Sequence, residues 1–183
     1  MPYDAALNKA WDDLAKNSSL RIHSISLLGD TYDIRLDDKT VFSSSCNVPA
    51  KDYLAILLLH YMIGYLKEGY FPSESWVSFK EIEGGEAYYP AFRKSVIEQL
   101  LRKYGRNPEA LPEILKRFKG RKLDIPEVSV EIETFPGVMV RLILWKADEE
   151  FGPDASMLFD RSLLRIYPME DITVFSHFIV SSI

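Results

Sequence analysis

Cysteine occurs once in the 183 residues, at Cys46, which excludes an internal disulfide and any iron–sulfur cluster held by thiolates of this chain alone. A reducing cytoplasm is the expected setting. Long apolar runs are also missing. The longest nearly uncharged one, Tyr53 to Leu66, has 14 residues and includes His60, whereas a membrane span needs roughly 20. The first sixteen residues carry acids early and have no apolar core of the export-signal type, so a soluble, non-exported chain is expected. Nine glycines form no phosphate-cradling loop, Gly84-Gly85 being only a turn signal, and neither a serine elbow nor a paired-cysteine motif occurs. His23, His60 and His177 lie in no local signature that would place a base beside Cys46, although Cys46 falls between a strand and an expected helix start.

What is present describes a folded globular domain: 47% hydrophobic and 13% aromatic residues, with 27% charged. One well-buried core suits this length better than two. The net charge of −5 argues against a general nucleic-acid or anionic-membrane role, but it is unevenly spread: −5 over residues 1–92, +7 over 93–122 and −7 over 123–183. An acidic protein carries a basic middle.

Periodicity supplies the elements. Leu7, Ala10, Trp11 and Leu14 recur at helical spacing over residues 4–16. From Leu20 the period becomes two, and turns at Gly29-Asp30 and Asp37-Asp38-Lys39 divide an antiparallel meander in which Ile22, Ile25, Leu27, Leu28, Tyr32, Ile34 and Leu36 are the inward candidates. Pro49 opens a helix to about Lys67, stopped by Gly69 and apolar on all sides, which places it centrally among the helices. Trp76 to Phe79 reads as a short strand. Tyr88, Phe92, Val96, Leu100 and Tyr104, four apart, predict a long amphipathic helix ending at Gly105, and Asn107-Pro108 restarts a helix that stops at Gly120, giving a hairpin with a basic outer face. A strand hairpin turns at Pro136-Gly137, and its second strand, Val138 to Trp145, is apolar enough to be buried on both faces and central to a sheet. Met157 to Tyr167 reads as irregular or partly extended, and Glu170 to Val180 as a closing helix. The whole predicts a single α+β domain with a largely antiparallel sheet, an N-terminal meander plus a later hairpin, packed against helices.

Trp76-Val77-Ser78-Phe79 followed by Gly84-Gly85, then Leu144-Trp145-Lys146-Ala147-Asp148-Glu149-Glu150-Phe151 with Phe159-Asp160-Arg161-Ser162 behind it, resemble the DUF3786 family of anaerobic bacteria and archaea. The resemblance covers most of the chain from the meander onward. It implies a fold-level relation and a setting in anaerobic metabolism, and no particular reaction. Some relatives carry a cysteine-rich iron–sulfur module that this chain lacks.

Two clusters are candidates for chemistry. Asp148, Glu149, Glu150, Asp154 and Asp160, with Arg161 beside them, lie beyond the apolar strand; clustered carboxylate oxygens suit magnesium or calcium, and the same residues equally suit a loop tied by salt bridges and backbone caps. Lys116, Arg117, Lys119, Arg121 and Lys122 form an anion-binding candidate for a protein partner or a phosphorylated ligand, or else a solvated helix face. Trp76, Phe79, Tyr88, Tyr89, Phe92 and Trp145 are either core or the lining of a pocket for a flat cofactor. The residues name no particular cofactor. Two function classes fit: an accessory or binding protein of the cytoplasm, or a divalent-metal enzyme using the 148–160 loop.

Overall fold

Two antiparallel sheets and five α-helices make up the fold, in a computed structural model that describes residues 3–183. Helix α1 (Asp4–Asn17) buries Ala10, Trp11 and Leu14 against helix α2 (Asp52–Glu68). Between them strands β1 (Ile22–Leu27), β2 (Asp30–Arg35), β3 (Thr40–Ser43) and β4 (Val48–Pro49) pair in sequence order as the meander. The inward set differs at one position. Leu27 and Ile25 point in, so period two sends His23 inward and leaves Ile22 exposed. The His23 ring is bonded through Nε2 to the Ser18 hydroxyl at 2.8 Å, and burial pushes its pKa down. Cys46 sits exposed in the turn before β4, a strand away from the helix start.

The second sheet runs β5-β9-β8-β7-β6, all antiparallel. Its members are β5 (Trp76–Ser78), β6 (Gly120–Lys122), β7 (Val128–Glu133), β8 (Met139–Trp145) and β9 (Asp154–Asp160). Strand β8 is the middle one of five, as its apolar run predicts, but it is not buried on both faces: Met139 and Arg141 are half-buried and Trp145 exposed, because no helix among the described residues covers the second face of the sheet there. Strand β9 replaces the expected irregular stretch: Ala155, Met157 and Phe159 alternate inward, a period that Leu158 on the other face disguises in the sequence. Val130, Ile132, Val140, Leu142, Leu144, Met157 and Phe159 form the sheet's inner face within a core continuous from α1 to α5 (Met169–Ser182). The backbone N–H of Leu28 donates to the Thr134 carbonyl at 2.8 Å and ties the meander to the second sheet. Among the described residues, no helix is long and apolar enough to cross a membrane.

The basic middle departs from the expected α-helical hairpin. Helices α3 (Gly85–Phe92) and α4 (Glu98–Tyr104) flank a π-helical segment, Arg93–Ile97. Apolar residues four apart drift round a helix of 3.6 residues per turn, and the wider turn returns Val96, Ile97 and Leu100 to the core beside Phe92. Pro108–Lys116 is a 3-10 helix, because Pro112 lacks the N–H that would reach the Pro108 carbonyl. The cations at Arg121 and Lys122 stand on a strand and not on a helix face. Gly120 opens edge strand β6 and lies so close to β7 that a Cβ there would stand 2.1 Å from the Glu131 carbonyl oxygen. Gly120→Ala is therefore expected to cost about 1–3 kcal/mol in a urea melt, the range for forcing atoms into a filled space.

Candidate functional site

The five-stranded sheet has a second, open face. On it the register sets Arg121, Glu131, Arg141 and Leu158 side by side across β6, β7, β8 and β9, with Trp76 opposite Asp160 at the far edge. Glu131 is 4% exposed, an unusual place for a carboxylate, and it is doubly paired. The Arg121 Nε donates to its Oε1 at 2.9 Å, and the Arg141 Nε to its Oε2 at 2.8 Å. The Arg141 guanidinium also lies 3.7 Å from the centre of the Trp76 ring, so it is held between an anion and an aromatic face. Its two Nη groups have no hydrogen bond to any described residue.

These side chains wall a cavity of about 470 Å³. The rest of its wall is largely the segment after α2, from which Tyr70 and Pro72 supply apolar surface and Glu74 a free carboxylate. Asp160 anchors that segment. It is 3% exposed and accepts from the backbone N–H of Ser73 at 3.0 Å, of Glu74 at 2.8 Å and of Ser162 at 2.8 Å, and from the hydroxyls of Ser73 and Ser162. Burial alone would raise its pKa, but these donors outweigh it and hold the carboxyl below its usual range. Glu74 is kept in the left-handed region, φ +57°, a strained place for a residue with a Cβ that costs about 1–2 kcal/mol. The Tyr70 hydroxyl is buried beside Ser162 yet makes no well-formed hydrogen bond. Such an orphan costs about 1–3 kcal/mol. The strained Glu74 backbone and the unpartnered Tyr70 hydroxyl thus belong to the one segment that Asp160 anchors.

The family model for DUF3786, a domain of unknown function, matches residues 12–182. The chain belongs to the DUF3786 family. No curated protein and no solved structure matches it.

In this DUF3786 chain the candidate carboxylates of 148–160 are kept apart. Asp148 accepts from the backbone N–H groups of Glu150 at 2.9 Å and Phe151 at 2.7 Å, which lower its pKa, so it closes its own loop. Glu149 and Glu150 are exposed. Asp154 binds Arg93 at 2.9 Å, and Asp160 stands at the other end of β9, about 20 Å along the strand. Arg161 pairs with none of these acids: its backbone N–H donates to the Ser75 carbonyl and its Nε lies 3.4 Å from the Ser75 hydroxyl. Among the described residues no three His, Cys, Asp or Glu side chains are grouped to hold a metal ion.

The basic candidates scatter as well. Lys116 pairs with Glu113, Lys119 with Glu133 at 2.7 Å, Arg117 lies over Phe118, and Lys122 is exposed on β6. Of the aromatics, Phe79 and Phe92 stack in the core at 3.9 Å, Tyr88 and Trp145 are exposed, and Trp76 alone walls the cavity on the open sheet face. One residue from each candidate cluster, Asp160 and Arg121, meets in that cavity. Glu131 and Arg141 belong to neither cluster. The signal is uneven: Glu131 is one of three polar residues, with Ser129 and Glu133, that alternate with Val128, Val130 and Ile132, so nothing local sets it apart, whereas Arg141 is the single charge in the run from Val138 to Trp145.

Proposed function

We propose that this DUF3786 chain is a binding or accessory protein of the cytoplasm, serving the anaerobic metabolism its kinship implies, and that the open sheet face is where it binds. The carrying observation is the Arg121–Glu131–Arg141 row beneath Trp76. Within the row one carboxylate stands between two guanidiniums, and the free Nη groups of Arg141 match the spacing of a phosphate or carboxylate, while the carboxylates of Glu74 and Asp160 on the facing wall confine that positive charge to the Arg141 end. The Glu74 carboxylate lies on the facing wall, which suits a hydrogen-bond donor at the ligand's other end. Trp76, Pro72 and Met139 favour an apolar body between the two. The ligand class is a small phosphorylated or carboxylated molecule with a donor group. The rival, a metal-dependent enzyme on the 148–160 loop, has less support, since Asp148, Asp154 and Asp160 are engaged with separate partners.

Native mass spectrometry of freshly purified protein is the test, expected to show a small-molecule adduct that Arg141→Ala loses while its circular dichroism stays unchanged. An adduct carried equally by both proteins, or none at all together with Trp76 fluorescence indifferent to cell-extract metabolites, would sink this reading.

A further inference from the structure

A second cavity, also of about 470 Å³, lies between α1, α2 and the start of α5. At its wall is His60, the one histidine in α2. Its Nδ1 stands 2.7 Å from Oδ2 of Asp171, itself only 8% exposed in the first turn of α5. A carboxylate has no proton to give, so Nδ1 carries the hydrogen and Nε2 is left for another partner. None is present among the described residues.

The charges around that ring are uneven in their commitments. Asp13 is bound to Lys16 at 3.2 Å and Asp171 to His60. Lys9 from α1, Lys67 from α2 and Arg165 from the turn before α5 all line the same cavity, and none of the three is in an ion pair or hydrogen bond with a described residue. Glu68 is the one free acid facing them. Three cations from three separate elements and three carboxylates, Asp13, Glu68 and Asp171, thus line the cavity, and none of the cations is paired with a described residue. Gly64 permits this convergence: a Cβ there would stand 2.8 Å from Cγ2 of Ile166, so the glycine lets the segment carrying Arg165 settle on α2, one turn from His60.

We propose that this cavity is an oxyanion site for the phosphate group of a small phosphorylated molecule, with His60 taking up a proton through Nε2 as the anion binds. Two lysine point charges, an arginine fork and an imidazolium donor supply what a phosphate accepts. A bound phosphate and a facing imidazole each favour the other's charged form, because opposite charges at close range stabilise one another. Asp171 stabilises the imidazolium and fixes the ring.

The probe is inorganic phosphate, added to 15N-labelled protein at ionic strength held constant with chloride, and read on the imidazole resonances. The His60 titration midpoint is expected to rise by roughly half a unit or more, while those of His23 and His177 stay in place. Lys67→Ala with Arg165→Ala, both at exposed positions, is expected to weaken the phosphate response about tenfold with an unchanged amide spectrum. Lys67→Ala alone serves should the pair fail to fold. A His60 midpoint indifferent to phosphate, or one that moves equally in the lysine and arginine variants, overturns the site. An equal response to acetate overturns its phosphate class.

Discussion

Replacing both Arg121 and Arg141 with alanine is expected to lower the unfolding free energy by about 3–5 kcal/mol, the range for leaving a buried charge without its partner. The reason lies in the asymmetry of burial. The Glu131 side chain is 5% exposed, whereas those of Arg121 and Arg141 are 69% and 26% exposed. Water can therefore solvate the cations once the acid is gone, but cannot reach the acid once the cations are gone. Glu131→Gln in the native background is accordingly the milder change, about 1–3 kcal/mol. Placed on top of the double arginine variant it should recover much of the loss, because an amide needs no counter-charge. Urea midpoints of the four proteins check this directly. An arginine pair that costs no more than Glu131→Gln would show that the row is held by solvent-screened pairing alone. The single change Arg141→Ala keeps Arg121 on the carboxylate, so it remains a usable probe of binding.

Asp160→Asn should be the second large effect, on the order of 3 kcal/mol. An amide presents N–H groups to a ring of donors from Ser73, Glu74 and Ser162, and at least one of them loses its acceptor. The segment carrying Ser73 and Glu74 should loosen with it, visible as faster hydrogen exchange there than in β7 and β8. The pH dependence has a definite sign. The folded state holds the Asp160 carboxyl below its unfolded value, so the stabilisation is complete above about pH 4 and is lost as pH falls through the folded pKa. Stability of the native protein should thus decline in acid more steeply than that of Asp160→Asn. Equal slopes would mean that Asp160 is not the acceptor its surroundings make it. Asp148 and Glu133, also lowered by hydrogen bonds, contribute to acid sensitivity in both proteins and cancel in the comparison.

How legible each element was depended on how far its residues carry their own geometry. The meander, the apolar helix α2 and central strand β8 can be read from spacing alone, since a period of two or an all-round apolar run leaves few other ways to bury the same side chains. Strand β9 was obscured by Leu158, an apolar residue on the open face, and the basic segment by two prolines four apart that convert an α-helix into a 3-10 one. Local clustering was the poorer guide to chemistry. Asp148 and Asp160 are near in sequence yet occupy opposite ends of the β9 hairpin, while Arg121 and Arg141, twenty residues apart, meet on one carboxylate.

Amino-acid order was thus enough for the α+β class, the antiparallel meander and hairpin, the family and most of the core, because burial patterns are written in periods of two and 3.6. Which charges stand together was decided only by strand register and helix packing. Cross-strand pairing puts Glu131 between two arginines, and the docking of α5 on α2 sets Asp171 against His60 across 111 positions of sequence. Electrostatic partnership depends on distance in space, and no local spacing encodes it.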